Sequence, residues 1–333
     1  MELNGGGSII HGATDLIYIN QENSNTVVLG DNSGVSISHS SGNSAILGQS
    51  ALIGVTDGNN ETFNLGNNAT AWLTHTTGST LNMSWGYVYA YDGVNVTING
   101  SGNTVGALDG DTVNVAGNGQ RGSANLVYLS NGALNLAHDA DAAITGNNNI
   151  VHADQTDLVT VNGNHNTLQF GSNGLTWVQT GYGNVIDASG AGILIGDNVI
   201  NTSIVGDGNA IYTGTGDNLN VSGSGDTIYG SGSTIYLNAD ALNTQIQGDN
   251  DIIHVRAGSV YQVTWFDDVN ESVTKEEIVD GFLGAGEFSL FVAKPGTAKS
   301  VLLCRHRLSY RRGPGLARSK SEAGSSRVLR RRA

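Results

Sequence analysis

A four-residue pattern recurs along most of this chain and constrains its fold more than any other feature. Gly is followed by Asn or Asp, then by one further residue, then by Val, Ile or Leu, as in residues 225–228. The pattern returns at a nearly fixed distance, as from Asn149 to Asn166 and again from Asn166 to Asn184. Hydrophobic residues that recur at a regular interval predict repeated strands rather than an irregular polar tract.

A period of about 17–18 residues that divides into halves of about nine, as between Asp217 and Asp226, predicts one coil of a narrow β-solenoid. Each half is expected to hold a short strand and a tight turn, with Gly, Asn and Asp at the left-handed turn positions. Side chains alternate along a strand, so Thr, Tyr and Asn are expected in surface ladders. The residues predicted to point into an aliphatic core are Val27, Val113, Leu168, Ile211 and Ile228.

The charge of the chain divides it near Ala293. Residues 1–293 contain three Lys+Arg and 28 Asp+Glu, which gives 3 − 28 = −25, and residues 294–333 contain 12 Lys+Arg and Glu322, which gives 12 − 1 = +11. The two parts sum to the net charge of −14 for the whole chain. Because phosphate binding needs clustered Lys and Arg, the acidic part is not expected to bind nucleic acid.

The domain organisation follows from these patterns. Residues 1–259 are predicted to form the solenoid, with longer coils or an insertion over the less regular residues 51–100. Residues 260–293 are predicted to form a cap with one short helix, since a capping box at 274–277 precedes apolar residues at helical spacing. Residues 294–333 are expected to be a disordered basic tail, either an interaction arm or a foreign, out-of-frame end.

The sequence bears on cellular location only through export signals and cysteine. No basic region followed by an apolar stretch is present at the N-terminus, and no run reaches the roughly 18 apolar residues of a membrane span. The single cysteine, Cys304, excludes an intrachain disulfide. We expect an extracellular or cell-surface location, reached by a route other than the Sec signal or as part of a longer polypeptide.

Residues 206–212 and 223–229 resemble the glycine-rich calcium-binding repeats of secreted bacterial exoproteins, the RTX type. The resemblance implies a β-solenoid in which Asp carboxylates and turn carbonyls bind Ca²⁺ between coils. The chain departs from that family because the Gly-Gly pair is largely missing and Asn often replaces Asp, which removes the charge that attracts the cation. The repeats also resemble the Asn/Thr-rich solenoids of large bacterial surface proteins.

Two sets of residues are candidate sites. The candidate calcium ligands, which are otherwise expected to be exposed turn-capping residues, are Asp111, Asp207, Asp217, Asp226, Asp249 and Asp251. The candidate carbohydrate platform, which is otherwise one face of an ordinary strand, consists of Trp72, Trp85, Tyr87, Tyr89 and Tyr91.

Three functions are consistent with these patterns. The first is a non-catalytic structural or adhesive module of a bacterial exoprotein that contacts a host or matrix surface or a carbohydrate. The second is an RTX-type module that folds on binding Ca²⁺ after export. The third is a polysaccharide-active β-helix enzyme, which ranks last because Arg121, Arg256 and Lys275 are the only Lys and Arg residues before residue 294.

Overall fold

The computed structural model describes residues 1–3, 5–116, 123–155 and 157–264, and three short strands at 288–291, 302–305 and 327–330. Every regular element in these residues is a β-strand. No helix in this part of the chain is long and apolar enough to cross a membrane. The predicted helix after residue 274 and most of the basic tail lie outside the described residues.

The chain divides into two compact units, residues 1–187 and residues 188–333. In each unit the chain passes alternately between two parallel sheets, so that one odd-numbered and one even-numbered strand make one coil. This arrangement is a parallel β-solenoid of about 15 coils, which confirms the predicted fold class for the described residues.

In the first unit the odd-numbered strands form one sheet, each strand pairing in parallel with the next odd-numbered strand. The strands are β1 (Glu2–Leu3), β3 (Leu16–Asn20), β5 (Gly34–Ser38), β7 (Leu52–Thr56), β9 (Thr70–Thr74), β11 (Tyr87–Tyr91), β13 (Thr104–Ala107), β15 (Asn125–Tyr128), β17 (Asp141–Thr145), β19 (Leu158–Asn162) and β21 (Leu175–Thr180).

The even-numbered strands of the first unit form the second sheet in the same way. They are β2 (Ile9–His11), β4 (Thr26–Leu29), β6 (Ser44–Leu47), β8 (Thr62–Leu65), β10 (Thr77–Asn82), β12 (Asn95–Asn99), β14 (Thr112–Ala116), β16 (Ala133–Leu136), β18 (Ile150–Ala153), β20 (Thr167–Phe170) and β22 (Val185–Asp187).

The second unit repeats this pairing. Its odd-numbered strands are β23 (Gly192–Ile195), β25 (Ala210–Tyr212), β27 (Thr227–Tyr229), β29 (Thr244–Gln247) and β31 (Tyr261–Thr264). Its even-numbered strands are β24 (Thr202–Val205), β26 (Asn218–Ser222), β28 (Thr234–Leu237) and β30 (Ile252–Val255).

After residue 264 the described residues form three further strands. β32 (Phe288–Phe291) and β33 (Leu302–Arg305) pair with each other in an antiparallel arrangement. β34 (Arg327–Arg330) pairs antiparallel with β30, with Arg330 opposite Ile252.

The strands form because every second side chain is apolar and faces the interior of the coil. Val27, Val113, Leu168, Ile211 and Ile228 are all 0–1% exposed, as predicted from the repeat. Each coil is too thin to bury these side chains alone, so the coils above and below complete the core.

The coils over residues 51–100 have the ordinary length, and the expectation of longer coils there is wrong. Leu52 pairs with Thr70 and Thr70 pairs with Tyr87, so successive partners are one ordinary coil apart, although the register shifts between Thr77 and Ser79. The hydrogen bond from Asn103 to Asn125 spans 22 residues, so a longer coil lies there. The aromatic residues that made 51–100 irregular in sequence occupy outward positions.

The turns between strands hold residues in the left-handed region. Asn148, His165 and Asn173 have φ values of 56°, 56° and 67°, and Asn tolerates this conformation better than most residues. At Gly146 the requirement is stricter, because φ is 150° and a Cβ atom would collide with the Leu129 carbonyl oxygen. The turns are therefore specified by residue type as well as by spacing.

Candidate functional site

Four of the five aromatic residues proposed from the sequence lie on the outer face of the odd-numbered sheet in the first unit. Trp72 points outward from β9, and Tyr87, Tyr89 and Tyr91 alternate with buried residues on β11. The Trp72 and Tyr89 rings stack with centroids 6.2 Å apart and an interplanar angle of 13°. Trp72, Tyr87, Tyr89 and Tyr91 remain 39–49% exposed. These four residues form an aromatic patch that faces solvent.

Trp85 does not belong to this patch. It lies in the turn between β10 and β11, has a φ of 57° and is 54% exposed. Its backbone N–H donates to the Ser101 carbonyl at 3.1 Å, and its ring covers the position of a Cβ at Gly102. The structure therefore places Trp85 at the edge of a coil and the other four residues on a sheet face.

Asparagine side chains also line the inside of the turns, where the sequence analysis did not place them. The Asn166 Oδ1 atom accepts hydrogen bonds from the Asn149 backbone N–H and from Asn149 Nδ2, both at 3.0 Å. The Asn166 Nδ2 atom donates to the Gly146 carbonyl at 3.0 Å. Asn149, Asn166 and Asn184 are at most 1% exposed, so each coil satisfies buried polar groups of the coil before it.

Four of the six candidate calcium ligands occupy the same kind of buried turn position. Asp111, Asp217, Asp226 and Asp251 are 0–2% exposed, which corrects the alternative that these residues are exposed turn caps. Each Oδ1 atom accepts a backbone N–H of the preceding coil, at 2.9 Å from Val199 for Asp217 and at 2.8 Å from Asn209 for Asp226. Asp111 also accepts the Leu108 N–H through Oδ2 at 2.9 Å.

The second carboxylate oxygens of Asp217 and Asp226 are buried without a hydrogen-bond partner. In Asn209, which occupies the same turn position as Asp226 one coil earlier, the place of the Asp226 Oδ2 atom is taken by Nδ2, which donates to the Ala188 carbonyl at 3.0 Å. A carboxylate has no proton to donate there, whereas a protonated carboxyl group does. Burial, opposed by the backbone hydrogen bonds, raises the pKa of Asp217, Asp226 and Asp251 to about 6.

Two further buried carboxyl groups were not identified from the sequence. Burial raises the pKa of Glu61 to about 7, and it also raises the pKa of Asp157. Glu61 Oε2 accepts the Asn43 backbone N–H at 2.6 Å, and Asp157 Oδ1 accepts the Ala140 N–H at 2.9 Å. The period indicates their positions, because each carboxyl group lies one coil after the residue whose N–H it accepts.

The two remaining calcium candidates lie nearer the surface. Asp207 is exposed, and its Oδ1 atom accepts hydrogen bonds from the Ser224 N–H at 2.7 Å and the Ser224 hydroxyl at 3.2 Å. Asp249 is partly buried and its N–H donates to Ser231 Oγ at 3.0 Å. Among the described residues no group of three or more His, Cys, Asp or Glu side chains is placed to hold a metal ion.

A column of alternating His and Asp on successive turns was also missed. His39 Nε2 lies 3.1 Å from Asp57 Oδ2, and His75 Nδ1 lies 3.3 Å from Asp57 Oδ1. His75 Nε2 lies 3.3 Å from Asp92 Oδ2. These residues share one left-handed turn position on successive coils, and that recurrence is the signal that links them in the sequence. The side chains are 41–79% exposed, so the pairs contribute little to stability.

Comparisons of the chain with protein-family models, with curated proteins and with solved structures found no match. The resemblance to RTX-type repeats therefore stays a prediction from residues 206–229, and function has to be argued from the site itself.

Proposed function

We propose that this chain is a non-catalytic adhesive repeat module of a bacterial secreted or surface exoprotein. Its contact surface is the aromatic patch formed by Trp72, Tyr87, Tyr89 and Tyr91, and its ligand is a carbohydrate on a host or matrix surface. The coil supports this patch by placing the four side chains on adjacent parallel strands.

The proposal rests on the exposure of stacked aromatic rings on the outer face of a sheet whose packing does not require them. The aliphatic core beneath is complete, because Ala71, Leu73, Val88 and Ala90 are at most 2% exposed. Four large rings left in solvent on neighbouring strands do not contribute to that core. Clustered exposed aromatic side chains are typical of surfaces that bind ligands or partners.

Adhesion of coated microspheres tests this function. Microspheres carrying the full chain are flowed over surfaces coated with neutral polysaccharide or extracellular matrix, and compared with a variant in which the four patch residues are replaced by Ser. The matched control replaces four aromatic residues outside the patch, namely Tyr182, Tyr212, Tyr229 and Tyr236.

We expect the patch variant to lose at least tenfold in retained microspheres, while the control variant retains most of its adhesion. The proposal fails if the unmodified chain adheres no better than albumin to any of these surfaces. It also fails if the two variants lose adhesion equally, because adhesion would then not depend on the patch.

A calcium-dependent module is the second candidate, favoured by the unpartnered Oδ2 atoms of Asp217 and Asp226. A bound cation would supply the missing partner, and turn carbonyls would supply further oxygen ligands. Calorimetric titration of the full chain with Ca²⁺ tests it. Uptake at or below millimolar concentration that is lost in the Asp217→Asn/Asp226→Asn variant supports this function, and no uptake contradicts it.

A further inference from the structure

The outward positions of the odd-numbered sheet form a row that crosses the strands of the first unit. In register order the row contains Gly54, Trp72, Tyr89, Gly106 and Tyr128, on β7, β9, β11, β13 and β15. The stacked pair Trp72–Tyr89 is thus followed by one position without a side chain and then by another ring. Tyr89 and Tyr128 are 39% and 49% exposed.

Tyr89 and Tyr128 are separated in this row by one strand that carries no ring, at Gly106. Where rings occupy adjacent strands they stack directly, as Tyr212 and Tyr229 do in the second unit with centroids 4.9 Å apart. Tyr89 and Tyr128 are two strands apart, so their backbones are separated by about 9.6 Å. A ring held between them would make one contact of about 4.8 Å on each side, at the short end of the range for stacked rings, whereas Trp72 and Tyr89 in the same row have centroids 6.2 Å apart.

The strand between the two rings, β13, has no side chain at the position that lies between them. Gly106 has no side chain, and a Cβ atom built there would lie 3.9 Å from Tyr89 Cδ1, so even a small side chain would touch the ring. The neighbouring outward residue on β13 is Thr104, which lies between Tyr87 and Leu126. On β13, Thr104 therefore offers one hydroxyl group. The neighbouring strands offer the ring faces and phenolic hydroxyl groups of the tyrosines and the aliphatic side chain of Leu126.

We propose that the gap over Gly106, between Tyr89 and Tyr128, is a subsite that takes one uncharged pyranose ring of a polysaccharide. This inference rests on the proposed function and specifies where the carbohydrate binds. A pyranose ring presents apolar C–H faces to the two tyrosine rings and hydroxyl groups to Thr104 and to solvent. The net charge of −25 over residues 1–293 disfavours anionic sugars and nucleic acids and favours a neutral glycan.

The subsite can be tested by filling it with a side chain at Gly106. Gly106 does not have a positive φ, and the nearest heavy atom to an added Cβ is at ordinary contact distance, so a larger residue is compatible with the backbone. Gly106→Leu places a side chain between the two tyrosines. Gly54→Leu is the matched control, because Gly54 lies on the same row with the same free space, 3.9 Å from Ser36 Oγ, but has a ring on one side only.

Isothermal titration of the full chain with maltohexaose, cellohexaose and hexa-N-acetylchitohexaose measures the effect. We expect the unmodified chain to bind at least one of these neutral oligosaccharides at millimolar concentration or below, Gly106→Leu to weaken that binding at least tenfold, and Gly54→Leu to leave it within twofold. Circular dichroism establishes that each variant is folded. If Gly106→Leu does not fold, Tyr128→Ala removes one wall from an exposed position and is expected to weaken binding to the same extent.

Equal binding by the unmodified chain and by a folded Gly106→Leu or Tyr128→Ala variant overturns the subsite, and it leaves the adhesive function intact if the aromatic-patch variant still loses adhesion. Absence of binding to all three oligosaccharides also overturns the subsite. The microsphere assay then decides independently whether the adhesive function stands.

Discussion

Asp217 and Asp226 occupy buried turn positions, and at Asp226 an asparagine satisfies the position better at neutral pH, as Asn209 does one coil earlier. The Oδ1 atom of each accepts a backbone N–H, and the Oδ2 atom has no partner. Burial raises the pKa of both groups to about 6 from an ordinary value of 3.8. As pH rises from about 4 to about 6 the unfolded chain ionises first, so the folded state loses stability over that window and loses no more above it.

Replacing Asp226 by asparagine is therefore expected to stabilise the fold at pH 7 and to have little effect at pH 4. A rise in pKa from 3.8 to about 6 corresponds to at most about 3 kcal/mol for this group. Thermal unfolding at the two pH values measures the difference. The matched control is Asp207→Asn, which removes an exposed charge from the same part of the chain. Equal gains in melting temperature at pH 4 and pH 7 would contradict the explanation.

The columns of stacked asparagines in the turns connect successive coils by hydrogen bonds, as the sheets do. Successive asparagines connect three coils through Asn149, Asn166 and Asn184, with each Oδ1 accepting from the coil before. The Nδ2 atoms donate to the carbonyls of Gly146 and Gly163 at 3.0 and 2.9 Å. Since these groups are buried, losing one side chain leaves a donor and an acceptor without partners.

Asn166→Ala is accordingly expected to destabilise the fold by about 2–4 kcal/mol, because two buried backbone groups lose their hydrogen bonds. Asn164→Ala is the control, since Asn164 Oδ1 accepts the Tyr182 N–H at an exposed turn where water can replace it. We expect its cost to stay within about 0.5 kcal/mol. Chemical denaturation measures both, and similar costs for the two variants would show that the buried column is not stabilising.

The strands were more predictable than the turns. The alternation that places Val27 and Leu168 inside follows directly from the pleat of a strand, so it can be obtained from the repeat alone. Whether Asn25 or Asn43 turns its side chain inward depends on the backbone of the neighbouring coil, which a single period does not describe. The same limit explains why the alternative that Asp217 and Asp226 are exposed turn caps is wrong, since both side chains are buried.

The aromatic patch was only partly predictable from the sequence. The alternation of Tyr87, Tyr89 and Tyr91 with small apolar residues indicated an outward row, which the structure confirms. The place of Tyr128 beside Gly106 could not be predicted, because the coil that joins them is 22 residues long and departs from the period. Register across such a coil depends on hydrogen bonding between strands rather than on sequence spacing.

At the scale of the whole molecule, stability comes from contacts between each coil and its immediate neighbours. Asn43 is followed by Ser44 on β6, and Ser44 pairs with Thr62, the equivalent residue of the next coil. Removing a whole coil therefore brings equivalent residues together and leaves the stacking pattern unchanged. Inserting one residue within a strand, in contrast, turns the rest of that strand from core to solvent.

The measurement that tests the solenoid most directly compares thermal unfolding of two variants by circular dichroism. Deleting residues 44–61 removes one coil and joins Asn43 to Thr62. We expect a folded β-protein that melts within about 10 °C of the parent, since each 1 kcal/mol shifts the melting temperature of a domain of this size by about 2–4 °C. Inserting one Asn between Phe63 and Asn64 moves Leu65 out of the core, and we expect a larger loss. An unfolded deletion variant, or an insertion tolerated better than the deletion, would contradict a fold built from stacked coils of this period.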